Sequence, residues 1–216
     1  MKRVLILILS FFVNKTVLCQ KYDSILKPPA ILNPASIFNS PPAKEPKPRR
    51  DISDFWNYEK EIGQAFGEFS AKDITGKSIS RENLVGKITL VNFSFSTCPP
   101  CIPEYDKLNR LYAHYLADTN FQLISFTFDN IDEARRTSEK YGLLYRIIST
   151  THELCSELIF PGHGYPSNYL LDENYRVTFG HTGAGPRGTN TDPFKEIIMP
   201  QIDSLLLKLK NSKKSL

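Results

Sequence analysis

The sequence predicts an α/β fold: a central mixed β-sheet flanked by helices, with a β-hairpin extension at its N-terminal side. Three observations point there. Residues 88–95 and 121–128 are runs of apolar and β-branched residues, read as strands buried on both faces, and each is followed by helical spacing. Two shorter runs, at residues 169–171 and 175–179, bracket Asp172-Glu173-Asn174, a hairpin signature. At 216 residues, 41% hydrophobic and 23% charged, the chain suits one core-bearing domain, and this make-up excludes a collagenous, wholly disordered or multi-span membrane protein.

Lys2 and Arg3 precede an apolar run from Val4 to Val13 broken only by Ser10, and Val17-Leu18-Cys19 offers a cleavage point before Gln20. This is the three-part pattern of an export signal, residues 1–19. The run would extend about 15 Å as a helix, half of a roughly 30 Å hydrocarbon core, so no stable membrane span is expected after processing. Lipidation of Cys19 is the alternative, giving a lipid-anchored envelope form, but Leu18 is bulky where bacterial lipoprotein signals resemble Ala or Gly. Residues 20–50 hold six cations against two acids and seven of the fifteen prolines, and read as a basic, extended, semi-rigid linker. Signal and linker account for the formal charge of +4, so the domain expected over residues 51–216 is slightly acidic.

Within that domain, residues 66–69 and 74–77 read as a short strand pair closing at a turn around Thr75-Gly76. The strand at 88–95 stops before Cys98, and Pro99 and Pro100 sit where a helix starts, since a first turn needs no N–H donors there. Leu108, Leu111, Tyr112 and Tyr115 continue that helix at helical spacing. Residues 131–141 predict a polar-faced helix behind Asn130 as cap, and 152–158 a short one ended by Pro161 and Gly162. The last amphipathic helix spans 193–207, and Lys208, Lys210, Lys213 and Lys214 suit its C-terminal dipole, so no nucleic-acid partner is needed to explain them.

Cys98-Pro99-Pro100-Cys101 lies between the end of a core strand and a helix start. Three residues are about one helical turn, so both sulfurs can face one way and close a disulfide, with Cys98 exposed at the tip and Cys101 more protected. A helix N-terminus favours thiolate, which makes Cys98 the expected nucleophile and Cys101 the resolving thiol. An inert disulfide is the bland reading of the same pair. Zinc is disfavoured, because there is no second C-x-x-C and His152 and His163 lack finger spacing. Cys155, beside Leu154 and close to Leu158, reads as a packed small hydrophobe.

Four motifs, Ile62-Gly-Gln-Ala-Phe-Gly-Glu-Phe69, Gly86-Lys-Ile-Thr-Leu-Val-Asn-Phe93, Cys98-Pro-Pro-Cys-Ile-Pro-Glu104 and Gly164-Tyr-Pro-Ser-Asn-Tyr-Leu-Leu-Asp172, occur in the order and spacing of thioredoxin-like proteins. The chain resembles the envelope thiol:disulfide oxidoreductases of the TlpA/ResA type, related to the AhpC/TSA proteins, over about residues 62–207. The resemblance implies a thioredoxin-like fold, a redox-active Cys98–Cys101 pair, and a cis-proline at Pro166 with the Tyr165 backbone receiving the substrate chain beside Pro99 and Pro100. It places an acidic residue, Glu104, one turn beyond the second cysteine, where a carboxylate near Cys101 raises the thiol's pKa and takes up its proton. Thr97 departs from the pattern, standing where thioredoxins carry tryptophan, and Pro99 and Pro100 deny the Cys98 thiolate two backbone donors. A modestly depressed Cys98 pKa, and hence a reductase, is expected.

The expected function is that of a periplasmic thiol:disulfide oxidoreductase acting on exported cysteine-containing proteins. Its electrons are expected from an upstream membrane donor, because no G-x-G-x-x-G fingerprint supplies a nucleotide; no cofactor or resident metal is expected. A copper-binding module using Cys98, Cys101 and His163 is the non-enzymatic alternative. A thiol peroxidase is the other, although the Pro-x-x-x-Thr-x-x-Cys signature is absent.

Overall fold

The computed structural model describes residues 58–161, 163–183 and 192–214, all within the unit Arg50–Leu216; the expected signal, residues 1–19, and the linker, residues 20–50, lie outside the described residues. Strands β1 (Ser70–Asp73) and β2 (Ser78–Ser80) form the antiparallel N-terminal hairpin. Asp73 closes its turn by accepting from the Thr75 N–H, the Thr75 hydroxyl and the Lys77 N–H, while Gly76 supplies the positive φ of +90°. Both strands lie about four residues later than the sequence predicts. Phe66 and Phe69 are core residues instead: the Phe66 N–H bonds the Tyr175 carbonyl, and its ring packs among Phe93, Tyr169 and Tyr175.

Strand β3 (Ile88–Phe93) is buried at every position, and β4 (Phe121–Thr127) runs parallel beside it. Helix α1 (Ile102–Tyr115) connects them, and α2 (Ile131–Tyr141) connects β4 to β5 (Arg146–Ser149), parallel again. Successive crossovers of one hand, moving in one direction along a sheet, place their helices on one face. Leu108, Leu111 and Tyr115 of α1 and Ala134 of α2 accordingly share one apolar cluster. Strand β5 has no counterpart among the predicted elements.

Helix α3 (His152–Leu158) buries Cys155 and Leu158 in a separate cluster on the opposite face. Strand β6 (Ser167–Leu171) returns antiparallel to β3, and β7 (Val177–Thr182) pairs with it. The sheet order is β2-β1-β5-β4-β3-β6-β7. The chain then makes a π-helical turn, Phe194–Ile198, and enters α4 (Met199–Lys214), whose Ile202, Leu206 and Leu209 complete the layer over α1's face. Lys210 pairs with Asp118 at 2.7 Å and Lys213 donates to Asn120, so two of the terminal lysines anchor this helix. Among the described residues no helix is long and apolar enough to cross a membrane.

Candidate functional site

The Cys98–Cys101 pair lies beyond the C-terminal end of β3, where crossover loops of parallel strands gather ligands and reactive groups. The two cysteines form a disulfide, with Cα atoms 5.3 Å apart. The helix begins at Ile102, with Cys101 as N-cap and Pro103 in the first turn, rather than at Pro99-Pro100. Pro99 and Pro100 occupy a preceding turn held by the Cys101 N–H donating to the Cys98 carbonyl at 3.0 Å. The expectation of an exposed Cys98 is corrected. In the disulfide form Cys98 is 2% exposed and Cys101 is 0%. Both pack on Tyr105, with Phe95, Tyr141, Leu143 and Tyr165 around them.

The loop between β3 and Cys98 is tied down by a residue the sequence reading passed over. Asp129, just past β4, accepts from the Ser96 N–H at 2.7 Å, the Ser96 hydroxyl at 3.0 Å and the Thr127 hydroxyl at 2.9 Å. Its position at the end of a parallel strand was the available signal. Asn130 does cap α2 as expected, accepting from the Asp132 and Glu133 N–H groups. Thr97 is exposed, and the rings of Phe95, Phe128 and Tyr165, 4.7–5.5 Å apart in pairs, supply an aromatic wall nearby.

The Tyr165–Pro166 peptide bond is cis, and Tyr165 brings this loop against the dithiol cluster. Ser167, which opens β6, pins the loop by donating to the Gly164 carbonyl at 2.5 Å. Glu104 projects inward from the first turn of α1 and is only 1% exposed. Its Oε2 accepts from the Asn168 amide at 3.1 Å, while Oε1 is buried without a hydrogen-bond partner. Burial pushes this carboxyl up to about 8, opposed by the Asn168 hydrogen bond and by the Lys107 charge. A group so placed holds a proton near neutral pH and is within reach of exchanging it as pH or local charge changes.

Cys155 is buried within α3, and its thiol interacts with Tyr165 of the cis-proline loop; burial pushes this thiol up to about 12, which favours the protonated form. His163 stacks on Tyr58 at 4.1 Å, faces Glu61 at 3.4 Å and lies 3.3 Å from the Thr182 hydroxyl. It serves to fasten the N-terminal segment of the domain to the end of β7. Its side-chain partners are thus not the cysteines with which the copper alternative grouped it.

Residues 62–179, more than half of the chain, match the AhpC/TSA family. The chain is 26% identical over 143 residues to the thiol-disulfide oxidoreductase ResA of Halalkalibacterium halodurans, covering 64% of this chain and 78% of that protein. It is 27% identical over 128 residues to the thioredoxin-like protein YneN of Bacillus subtilis, covering 56% and 71%. A thiol:disulfide interchange protein of the thioredoxin family from Chlorobium tepidum superposes with a TM-score of 0.53 at 21% identity, over 67% of this chain and 97% of that one, and shares the fold. With a dithiol at the head of α1, a cis-proline loop against it and this match, the chain belongs to the AhpC/TSA family as a thioredoxin-like thiol:disulfide oxidoreductase.

Proposed function

We propose that the protein is exported by its N-terminal signal to the periplasm and there reduces disulfides of exported proteins, receiving electrons from a membrane donor. The observation that supports the chemistry is the Cys98–Cys101 disulfide at the head of α1, with the buried Glu104 in the first turn donating its N–H to the Cys101 carbonyl at 3.0 Å and Tyr165 of the cis Tyr165–Pro166 bond packed against the pair. In the reduced protein the Cys98 thiolate attacks one sulfur of a substrate disulfide, forming a mixed disulfide and expelling the other sulfur as a thiolate. Glu104, ionised once the pair has been reduced, takes the proton of Cys101, whose thiolate attacks the Cys98 sulfur. The Cys98–Cys101 bond forms, the mixed disulfide breaks, and two electrons have moved to the substrate. When a donor later reduces the pair, Glu104 returns the proton to the Cys101 sulfur as it leaves. The Tyr165 backbone, with Pro99 and Pro100, lines the place where the substrate's extended chain lies.

Export is supported by the order of residues 1–19, with Lys2 and Arg3 ahead of an apolar run and a cleavage point before Gln20. The decisive experiment is trapping in the source cell. A Cys101→Ser protein holds partners as mixed disulfides with Cys98, and their identities give the substrate class. Recovery of no mixed disulfides, with a protein that is inert toward model disulfides, overturns the reading. Mass analysis of the mature N-terminus checks the signal, with Gln20 as the expected first residue.

A further inference from the structure

The buried carboxyl does not stand alone. Ser125 of β4, Asn92 of β3, Asn168 of β6 and His181 of β7 are register partners in sequence across four neighbouring strands, so they form one polar row across the sheet. All four are buried. Glu104 reaches this row from α1. Neighbouring positions on the same strands, Leu90, Leu123 and Leu170, belong to the apolar cluster under α1 and α4. A polar row in such a core costs stability unless its members satisfy one another.

The bonds run in one direction. The Ser125 hydroxyl donates to Asn92 Oδ1 at 2.7 Å, the Asn92 amide donates to Asn168 Oδ1 at 2.9 Å, and the Asn168 amide donates to Glu104 Oε2 at 3.1 Å. Each side-chain carbonyl oxygen is occupied by the donor behind it, so each amide can offer only N–H to the group ahead. We propose that Asn168 is a positioning residue for the proton that accompanies dithiol exchange: held by Asn92 and Ser125, it fixes an N–H on Glu104 Oε2 and leaves Oε1 as the oxygen that trades a proton with Cys101. This rests on the exchange reaction proposed above and assigns a site residue beyond Cys98, Cys101 and Glu104.

An N–H donor favours the ionised carboxyl, so Asn168 makes Glu104 a better proton donor than burial alone would leave it. The other charged or titratable groups acting on this corner are Lys107 and Tyr105 of α1, Tyr145 ahead of β5, and His181 beside Asn168. Lys107 bears on both Glu104 and His181, and all four groups stay in place when Asn168 is changed.

The test uses the full chain and two readouts. Carbon NMR of the Glu104 carboxyl in the disulfide form follows its titration without turnover. The midpoint potential of the Cys98–Cys101 pair between pH 5 and 10 follows its coupling to the dithiol. Asn168→Leu is expected to raise the Glu104 titration by about one pH unit, a tenfold tighter hold on the proton, and to move the bend in the potential–pH curve with it. Ser125→Ala is expected to move both the same way by less, and serves if Asn168→Leu does not fold. In a Glu104→Gln background neither substitution should alter the shape of the curve. A Glu104 titration unmoved by either variant, or an equal change of the curve in the Glu104→Gln background, overturns the proposal. A wild-type protein that exchanges with no thiol–disulfide couple defeats the functional reading instead, and the NMR titration still decides the role of Asn168.

Discussion

Burying Glu104 makes stability depend on pH in a definable window. Its carboxyl titrates near 8 in the folded chain against an ordinary 4.5, so between those values the folded state binds more protons than the unfolded state. Stability from this group is complete below about pH 4.5 and is lost as pH rises through 8, at about 1.4 kcal/mol per pH unit. Glu104→Gln cannot ionise, yet its amide N–H groups take the place of an oxygen with no partner. The variant is therefore expected to be less stable than wild type at pH 5 and more stable at pH 9, a crossing visible in urea unfolding at the two values. His181 acts with the opposite sign: burial lowers it to about 4, so its contribution is present above 6.5 and lost as pH falls through 4. In Glu104→Gln the stability from His181 should therefore rise with pH between about 4 and 6.5. The same logic predicts that Cys155, buried and pushed up to about 12, resists iodoacetamide in the native protein and reacts only after unfolding, read by intact mass. Cys98 and Cys101 were visible in the sequence because two cysteines lie about one helical turn apart between a strand and a helix, and Glu104 only through the resemblance to the TlpA/ResA type. Asn92 and Asn168 were not, because each sits inside a buried strand with no chemical motif around it, and only pairing of β3 with β6 brings them together.

At the scale of elements, close approach rather than propensity sets the strictest demands. A Cβ on Gly180 of β7 would lie 2.1–2.5 Å from ring atoms of Tyr58, which is stacked on His163 and hydrogen-bonded to Thr182. Gly180→Ala is expected to cost about 1–3 kcal/mol, the range for overpacking, as measured by a lowered urea midpoint. At Gly67 the same atom would meet the end of the Leu158 side chain at 2.8 Å, so Gly67→Ala is expected to cost less. The capped and strongly patterned elements were legible: α2 carries its N-cap, Asn130, in the sequence. Strand β5 was not, since Arg146-Ile-Ile-Ser149 is too short to show a period, and its strand character comes from pairing with β4 and β1. The hairpin was offset because Phe66 and Phe69 look like strand residues but are needed as core plugs beneath Tyr175 and Phe126.

At the scale of the molecule, the sheet divides two apolar layers, and the redox site sits where β3 ends and α1 begins. Three loops meet there from separate parts of the chain: the Asp129-anchored turn before Cys98, the cis Tyr165–Pro166 bend, and the α1 entry. Asp129→Asn keeps the shape but loses the charge that strengthens the Ser96 bonds. It is expected to speed local opening of residues 94–98 in hydrogen exchange while the β3–β4 core stays protected.

The sequence by itself determined the class of chemistry and most of the elements, because a C-x-x-C between strand and helix, cap residues and hydrophobic periods are local patterns. Tertiary structure alone decided that Cys98 is sheltered in the disulfide form, that Glu104 is buried with one oxygen unpaired, and that Asn168 faces it. Glu104 and Asn168 are 64 residues apart in the chain. Burial and hydrogen bonding across a sheet depend on which strands become neighbours, and no local pattern fixes that.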